Sequence, residues 1–252
     1  MNNKQLLGVA ALGIAAIFSG CSKGSQGNPG PSFAGAISGH IMLYDQYGTK
    51  VNTGLSGIQV TLSGSPATTA TTDVNGYYLF TGVTTRDYTI MVQNPNTTPY
   101  TYGNNEAVDF QYLADTLIKD IKLSAVASFS PATMAAYLTT VTQNDSLVFT
   151  ITPDTRVRDI IVFVNNNATV NNQPANYLLT YVKAVPANAT TVTLLVPAND
   201  LHDQGINSGS TAYYAAYGYP VSDASVYEDI TTGKSIYNSL SASSVAANAV
   251  AP

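Results

Sequence analysis

The chain has 252 residues, 45% of them hydrophobic and 10% charged, with a formal net charge of −5. Globular domains carry about 25% Asp, Glu, Lys and Arg, so polarity here rests on 30 Thr and 21 Asn instead. This balance excludes a disordered chain. Ten scattered basic residues leave no electrostatic footprint for nucleic acid, and one Cys with two His cannot supply a Cys/His zinc site. Abundant Thr, Val, Ile and Tyr point to an all-β fold.

The first element is an address. Residues 1–5 are polar and carry Lys4, residues 6–18 are apolar, and Ser19, Gly20 and Cys21 follow. Such a run falls short of the roughly 20 residues that span a bilayer. Basic start, short apolar middle and small residues predict a secretory signal over 1–20. Phe18-Ser19-Gly20-Cys21 resembles the lipobox of bacterial lipoproteins, with Phe where that family usually has Leu. The resemblance implies that the Cys21 thiol carries a diacylglycerol and becomes the mature N-terminus. Two or three acyl chains, at about 0.8 kcal/mol per buried CH₂, hold a protein firmly to its membrane partner. Ser22 in place of Asp implies, by the same resemblance, the outer membrane, with either face open. Residues 21–35, with Gly24, Gly27, Gly30 and two prolines, read as a lipidated tether.

From residue 36 the pattern changes to alternation broken by turns. Ile37, Gly39 and Ile41 share one strand face, and Ile58, Val60 and Leu62 another. Residues 68–72 form a threonine-rich strand suited to a sheet edge. Asp73-Val74-Asn75-Gly76 is a tight turn. It opens like a calcium loop but lacks the later ligands of one. Tyr78 and Phe80, then Tyr88, Ile90 and Val92, point inward, and residues 117–123 close the sheet through Ile121 and Leu123. Short strands with turn signals every 8 to 12 residues predict an antiparallel sandwich over 36–124. The segments Ile37 to Ile41, Gly57 to Gly64, Thr71 to Phe80 and Tyr88 to Ile90 resemble the carboxypeptidase regulatory-like domain, a transthyretin-like, carbohydrate-binding-like fold. Departures are Arg86-Asp87, where relatives usually have Gly-Lys, and the long stretch 93–105. The resemblance implies a spacer or binding module, not a peptidase.

A second sandwich is expected over 125–240. Residues 131–138 suit a helical turn or a strand. Leu147, Phe149 and Ile151 alternate inward, and residues 159–164 are apolar on both faces, as in a central strand. Further strands are expected at 177–182, 192–196 and 211–217, with a hairpin around 231–234. The count matches an immunoglobulin or fibronectin type III architecture, and Leu201 with Gly209 to Tyr213 resembles the approach to a tyrosine corner. Residues 241–252, rich in Ala and Ser, are expected to form a flexible tail.

His40 and His202 are the candidate neutral-pH bases. Alternation turns His40 toward solvent, and Asp200, His202 and Asp203 sit in a loop with no partner motif. No catalytic residue, metal or cofactor is therefore expected. Seventeen tyrosines exceed what two small cores need, and loop tyrosines give rigid contact area. Tyr100, Tyr102, Tyr217 and Tyr219 are the candidate ligand-binding residues. The expected function is a non-enzymatic, lipid-anchored envelope protein, either a spacer or protein-binding module. The alternative is a carbohydrate-binding accessory of a polysaccharide-uptake system. The partners expected are thus the membrane and an envelope protein or glycan.

Overall fold

The computed structural model describes residues 34–252 except 65, 104, 114, 140–143, 222, 224, 230 and 243, and of residues 105–109 it describes the backbone alone. The signal over 1–20, Cys21 and most of the tether lie outside the described residues. In chain order the first half forms β1 (Ala34–Tyr44), β2 (Lys50–Val51), β3 (Gln59–Leu62), β4 (Thr68–Thr71), β5 (Tyr77–Thr84), β6 (Arg86–Gln93), β7 (Asn105–Tyr112), β8 (Thr116–Ile118) and β9 (Ile121–Ser124). One sheet is built around β1. It pairs antiparallel with β2 and β5, and parallel with β8 and β9. The facing sheet has the order β4-β3-β6-β7.

Alternate side chains fill the space between them, as period-two strands require. Ile37, Ile41, Leu43, Ile58, Val60, Tyr78, Ile90, Val92 and Leu123 are essentially inaccessible. The threonine-rich strand is indeed an edge, β4. In the turn after it, Asp73 Oδ1 accepts the N–H groups of Asn75 and Tyr77 at 2.8 and 2.9 Å, and Gly76 has φ +80°. Three features differ from expectation. The first strand starts at Ala34 rather than 36. Strand β7 occupies residues that no pattern singled out. The closing strands β8 and β9 run parallel, not antiparallel, to β1.

The second half forms β10 (Thr133–Thr139), β11 (Asn144–Thr150), β12 (Arg158–Asn165), β13 (Leu179–Val185), β14 (Thr191–Pro197), α1 (Ala198–Asp203), β15 (Thr211–Tyr219), β16 (Tyr227–Asp229), β17 (Lys234–Ile236) and β18 (Ser244–Val250). Sheets β10-β11-β14 and β13-β12-β15-β18 enclose Leu147, Phe149, Ile160, Val162, Val164 and Tyr214. Central strand β12 is buried on both faces, as its apolar run implies. A separate cluster of Ile161, Phe163, Tyr177, Tyr219 and Leu240 forms on its other face. The segment after hairpin β16–β17 packs there, with the Tyr237 ring 5.4 Å from Phe163.

The expected flexible tail is a correction. Residues 244–250 are strand β18, paired along Thr211 to Tyr217 of β15. Ala249 and Ala251 are buried in the core, and Val245 and Ala247 pack against it. Small side chains suit this edge, although their composition alone resembles a linker.

The two halves meet through a polar junction. The Ala127 N–H donates to the Ser239 carbonyl at 2.9 Å, and Gln46 Oε1 accepts the Ser128 N–H at 2.8 Å. The Tyr47 hydroxyl donates to Asp154 Oδ2 at 3.0 Å, beneath the Arg156 guanidinium, 3.3 Å from the ring centroid. The Ser124 N–H donates to Ser225 Oγ at 2.6 Å. Residues 34–252 accordingly cluster as one compact unit.

Removing residues 244–252 is expected to lower stability by at least about 2 kcal/mol, the scale of a few buried side-chain groups. Urea unfolding measures this. A tail without packing would leave the midpoint unchanged.

Candidate functional site

Strand β5 is bent at Gly82, where φ is +69°. Ala36 pairs with Thr81 but Gly35 pairs with Val83, so Gly82 is the extra residue of a β-bulge. The bulge resets the alternation and returns Val83 to the core, 6% exposed. Together with the end of β3 and the start of β6 it borders an open cleft of about 160 Å³. Leu62, Phe80, Val83 and Tyr88 form an apolar floor, and Ser63, Thr68, Thr81 and Thr84 contribute hydroxyl-bearing side chains to the lining.

Arg86 stands at this cleft in a defined pose. Its guanidinium lies 4.6 Å from the centroid of the Tyr88 ring, and Nη2 points at the Ser63 carbonyl at 3.4 Å. The Tyr88 hydroxyl donates to the Thr84 carbonyl at 3.0 Å, which fixes the ring. Gly64 makes room, since a Cβ there would collide with Nη2. Among the described residues no carboxylate lies within ion-pair distance of Arg86; the ion pairs are His40–Asp120 and Arg156–Asp154. A cationic fork, hydroxyls and an apolar floor in one cleft suit a small polar ligand. Drug-sized pockets measure about 300–1,000 Å³, so this one takes a single ring-sized group.

The four candidate tyrosines fall into two separate packing groups. Tyr102 is 7% exposed, bridges Ala125, and meets half-buried Tyr100 edge-to-face at 6.4 Å. Burial pushes its hydroxyl up to about 12. Tyr219, 8% exposed, and half-buried Tyr217 belong to the aromatic cluster on β12. Tyr102 and Tyr219 are therefore core rings and not free loop rings. The second layer that covers them comes from distant segments, which local sequence does not reveal. His40 sits at the surface with Nδ1 3.6 Å from Asp120 and its ring tilted on Tyr77. His202, on α1, places Nε2 3.0 Å from the Pro252 carbonyl, and Asp203 is exposed at the helix end. The two histidines thus occupy different halves. Among the described residues no three His, Cys, Asp or Glu side chains converge on a metal position.

Residues 45–137 match a sequence family described as the SdrD B-like domain. This match runs from the end of β1 into β10. No curated protein sequence matches the chain. Among solved structures, one similar chain is a proposed carbohydrate binding protein from Bacteroides uniformis. It shows 15% identity over 86% of this chain and 98% of its own, with a TM-score of 0.31. A DUF3823 family protein from Parabacteroides merdae shows 13% identity over 84% of this chain and 98% of its own, TM-score 0.28. The minor pilin GBS52 of Streptococcus agalactiae shows 17% identity over 38% of this chain and 47% of its own, TM-score 0.30.

One buried polar pair escaped the sequence reading. Asp145 on β11 is fully buried and accepts a hydrogen bond at Oδ2 from the Tyr214 hydroxyl, while Oδ1 has no partner. Nearby, the Tyr181 hydroxyl donates to Asp200 Oδ2 at 2.7 Å. Burial raises the Asp145 carboxyl above its ordinary 3.8, with the Tyr214 bond opposing. The folded chain then keeps this proton at pH values where the unfolded chain has lost it. Stability from Asp145 is fullest at low pH and declines as pH rises above 3.8 through the raised value. Asp145→Asn removes that titration while keeping an acceptor for Tyr214. Its stability relative to wild type is expected to improve as the pH rises from about 4 toward neutrality. Urea titrations at several pH values check this, and a difference independent of pH would refute it.

Proposed function

We propose that this chain is a lipid-anchored protein of the outer membrane that works as a non-enzymatic binding module, with its ligand held in the Arg86 cleft. The anchor rests on Phe18-Ser19-Gly20-Cys21 and the Gly/Pro tether behind it. The observation that carries binding is the pose of Arg86, set on Tyr88 beside a hydroxyl-bearing lining. The two histidines and their acidic neighbours stand away from this cleft and from each other, which supports binding over catalysis. A second reading, as a rigid spacer, is favoured by the hydrogen-bonded junction between the halves.

Cys21→Ser is expected to abolish labelling by radioactive palmitate and to shift the chain from the detergent to the aqueous phase in detergent partition. Unchanged partition would sink the anchor. For the cleft, saturation-transfer NMR with a panel of small saccharides and dipeptides is expected to find binders that Thr68→Trp eliminates. Thr68 is exposed at a sheet edge, so the indole fills the cleft without disturbing the core. If no panel member binds, or binding survives Thr68→Trp, the spacer reading stands.

A further inference from the structure

Resting on that binding reading, we infer that the Arg86 cleft selects a saccharide bearing a carboxylate, such as a uronic acid ring. The guanidinium has one face on Tyr88 and its Nη2 toward the Ser63 carbonyl. Nη2 keeps a second N–H, and with the N–H beside it on the same edge, from Nε or Nη1, it forms a planar pair of donors, the geometry that takes both oxygens of a carboxylate. No protein carboxylate among the described residues lies close enough to take that place. Asp87 follows directly, but alternation along β6 turns it to the opposite face, across from Gln111.

The rest of the cleft indicates a sugar over a peptide. Thr68 and Thr81 bear uncharged hydroxyls that both donate and accept, matching a ring that presents hydroxyls in several directions; Ser63 Oγ already accepts the Thr89 N–H at 2.8 Å, and Thr84 Oγ1 lies 3.4 Å from the Tyr88 hydroxyl. Leu62 and Val83 offer an apolar floor to the C–H face of such a ring. A peptide would add to the free edge of β5 through a run of main-chain hydrogen bonds. The bulge at Gly82 breaks that edge beside the cleft. The volume of about 160 Å³ suits one ring.

The test is calorimetric titration of the full chain in detergent with trigalacturonate, galactotriose and triglutamate. Trigalacturonate is expected to bind at least about tenfold more tightly than galactotriose, the scale of hydrogen bonds to a charged group. Arg86→Gln is expected to erase that preference, and Arg86→Lys to restore part of it. Arg86 is exposed, and thermal unfolding of each variant verifies that the fold is intact. Equal affinity for galactotriose and trigalacturonate, or a preference that survives Arg86→Gln, overturns the carboxylate inference yet leaves a binding module. Triglutamate binding as tight as trigalacturonate overturns the saccharide class. If none of the three binds, the carboxylate inference fails, and the small-ligand panel with Thr68→Trp decides the cleft itself.

Discussion

The first sandwich depends on one close approach of backbone to backbone. At Lys119 the chain passes so near Gly39 that a Cβ on Gly39 would collide with the Lys119 carbonyl. The contact is held from three sides. Lys119 N–H donates to the Ser38 carbonyl at 2.8 Å, the Tyr78 hydroxyl donates to the Lys119 carbonyl at 2.6 Å, and Asp120 Oδ1 accepts the His40 N–H at 2.9 Å. This crossing separates β8 from β9 and lets both run parallel to β1. Parallel neighbours need a long connection, here the excursion through the facing sheet. With a Cβ at 39 the Lys119 carbonyl would have to move, and the crossing with it.

The same crossing sets up the junction. Strand β9 leaves β1 at Ser124; Ala125 stays in the first core, and buried Ala127 donates its N–H to the Ser239 carbonyl of the second half at 2.9 Å. There Ser124, Ser225 and Ser239 surround Asp223, whose carboxyl burial raises while the serine hydrogen bonds oppose it. Ser225 and Ser239 have no exposed surface. Buried polar groups of this kind stabilise little, but their hydrogen bonds are directional and favour one orientation. Such directionality turns two sandwiches into one continuous unit.

Alternation was the legible part. Residues Ile37, Ile58, Val60, Tyr78, Ile90 and Phe149 point inward as period two demands, and the run over β12 announces a strand buried on both faces. Other features follow from contacts between distant segments. The parallel sense of β8 and β9 depends on the path of the chain, and the pattern is the same in either direction. Strand β18 hid because Ala and Ser serve equally in linkers and at close-packed edges. Tyr102 and Tyr219 were misplaced because a turn-proximal tyrosine is exposed only if no other segment covers it. At the cleft, Arg86 was visible as a departure from the resembled family pattern. The Gly82 bulge and the Tyr88 platform that give the arginine its pose were not.

Low charge gives that arginine its meaning. A chain of net charge −5 repels an acidic ligand weakly at long range, and at physiological salt the repulsion fades beyond about 8 Å. Recognition of a carboxylate must then come from contact, not from steering. The outer face of sheet β10-β11-β14 shows how far the surface avoids charge. Its cross-strand rows read Ala135, Val148, Thr193 and Tyr137, Ser146, Leu195. Against such a background a single guanidinium, resting on an aromatic ring and free of a protein counter-ion among the described residues, is a local and directional signal. Two parallel hydrogen bonds from it discriminate by geometry, which a diffuse basic patch does not.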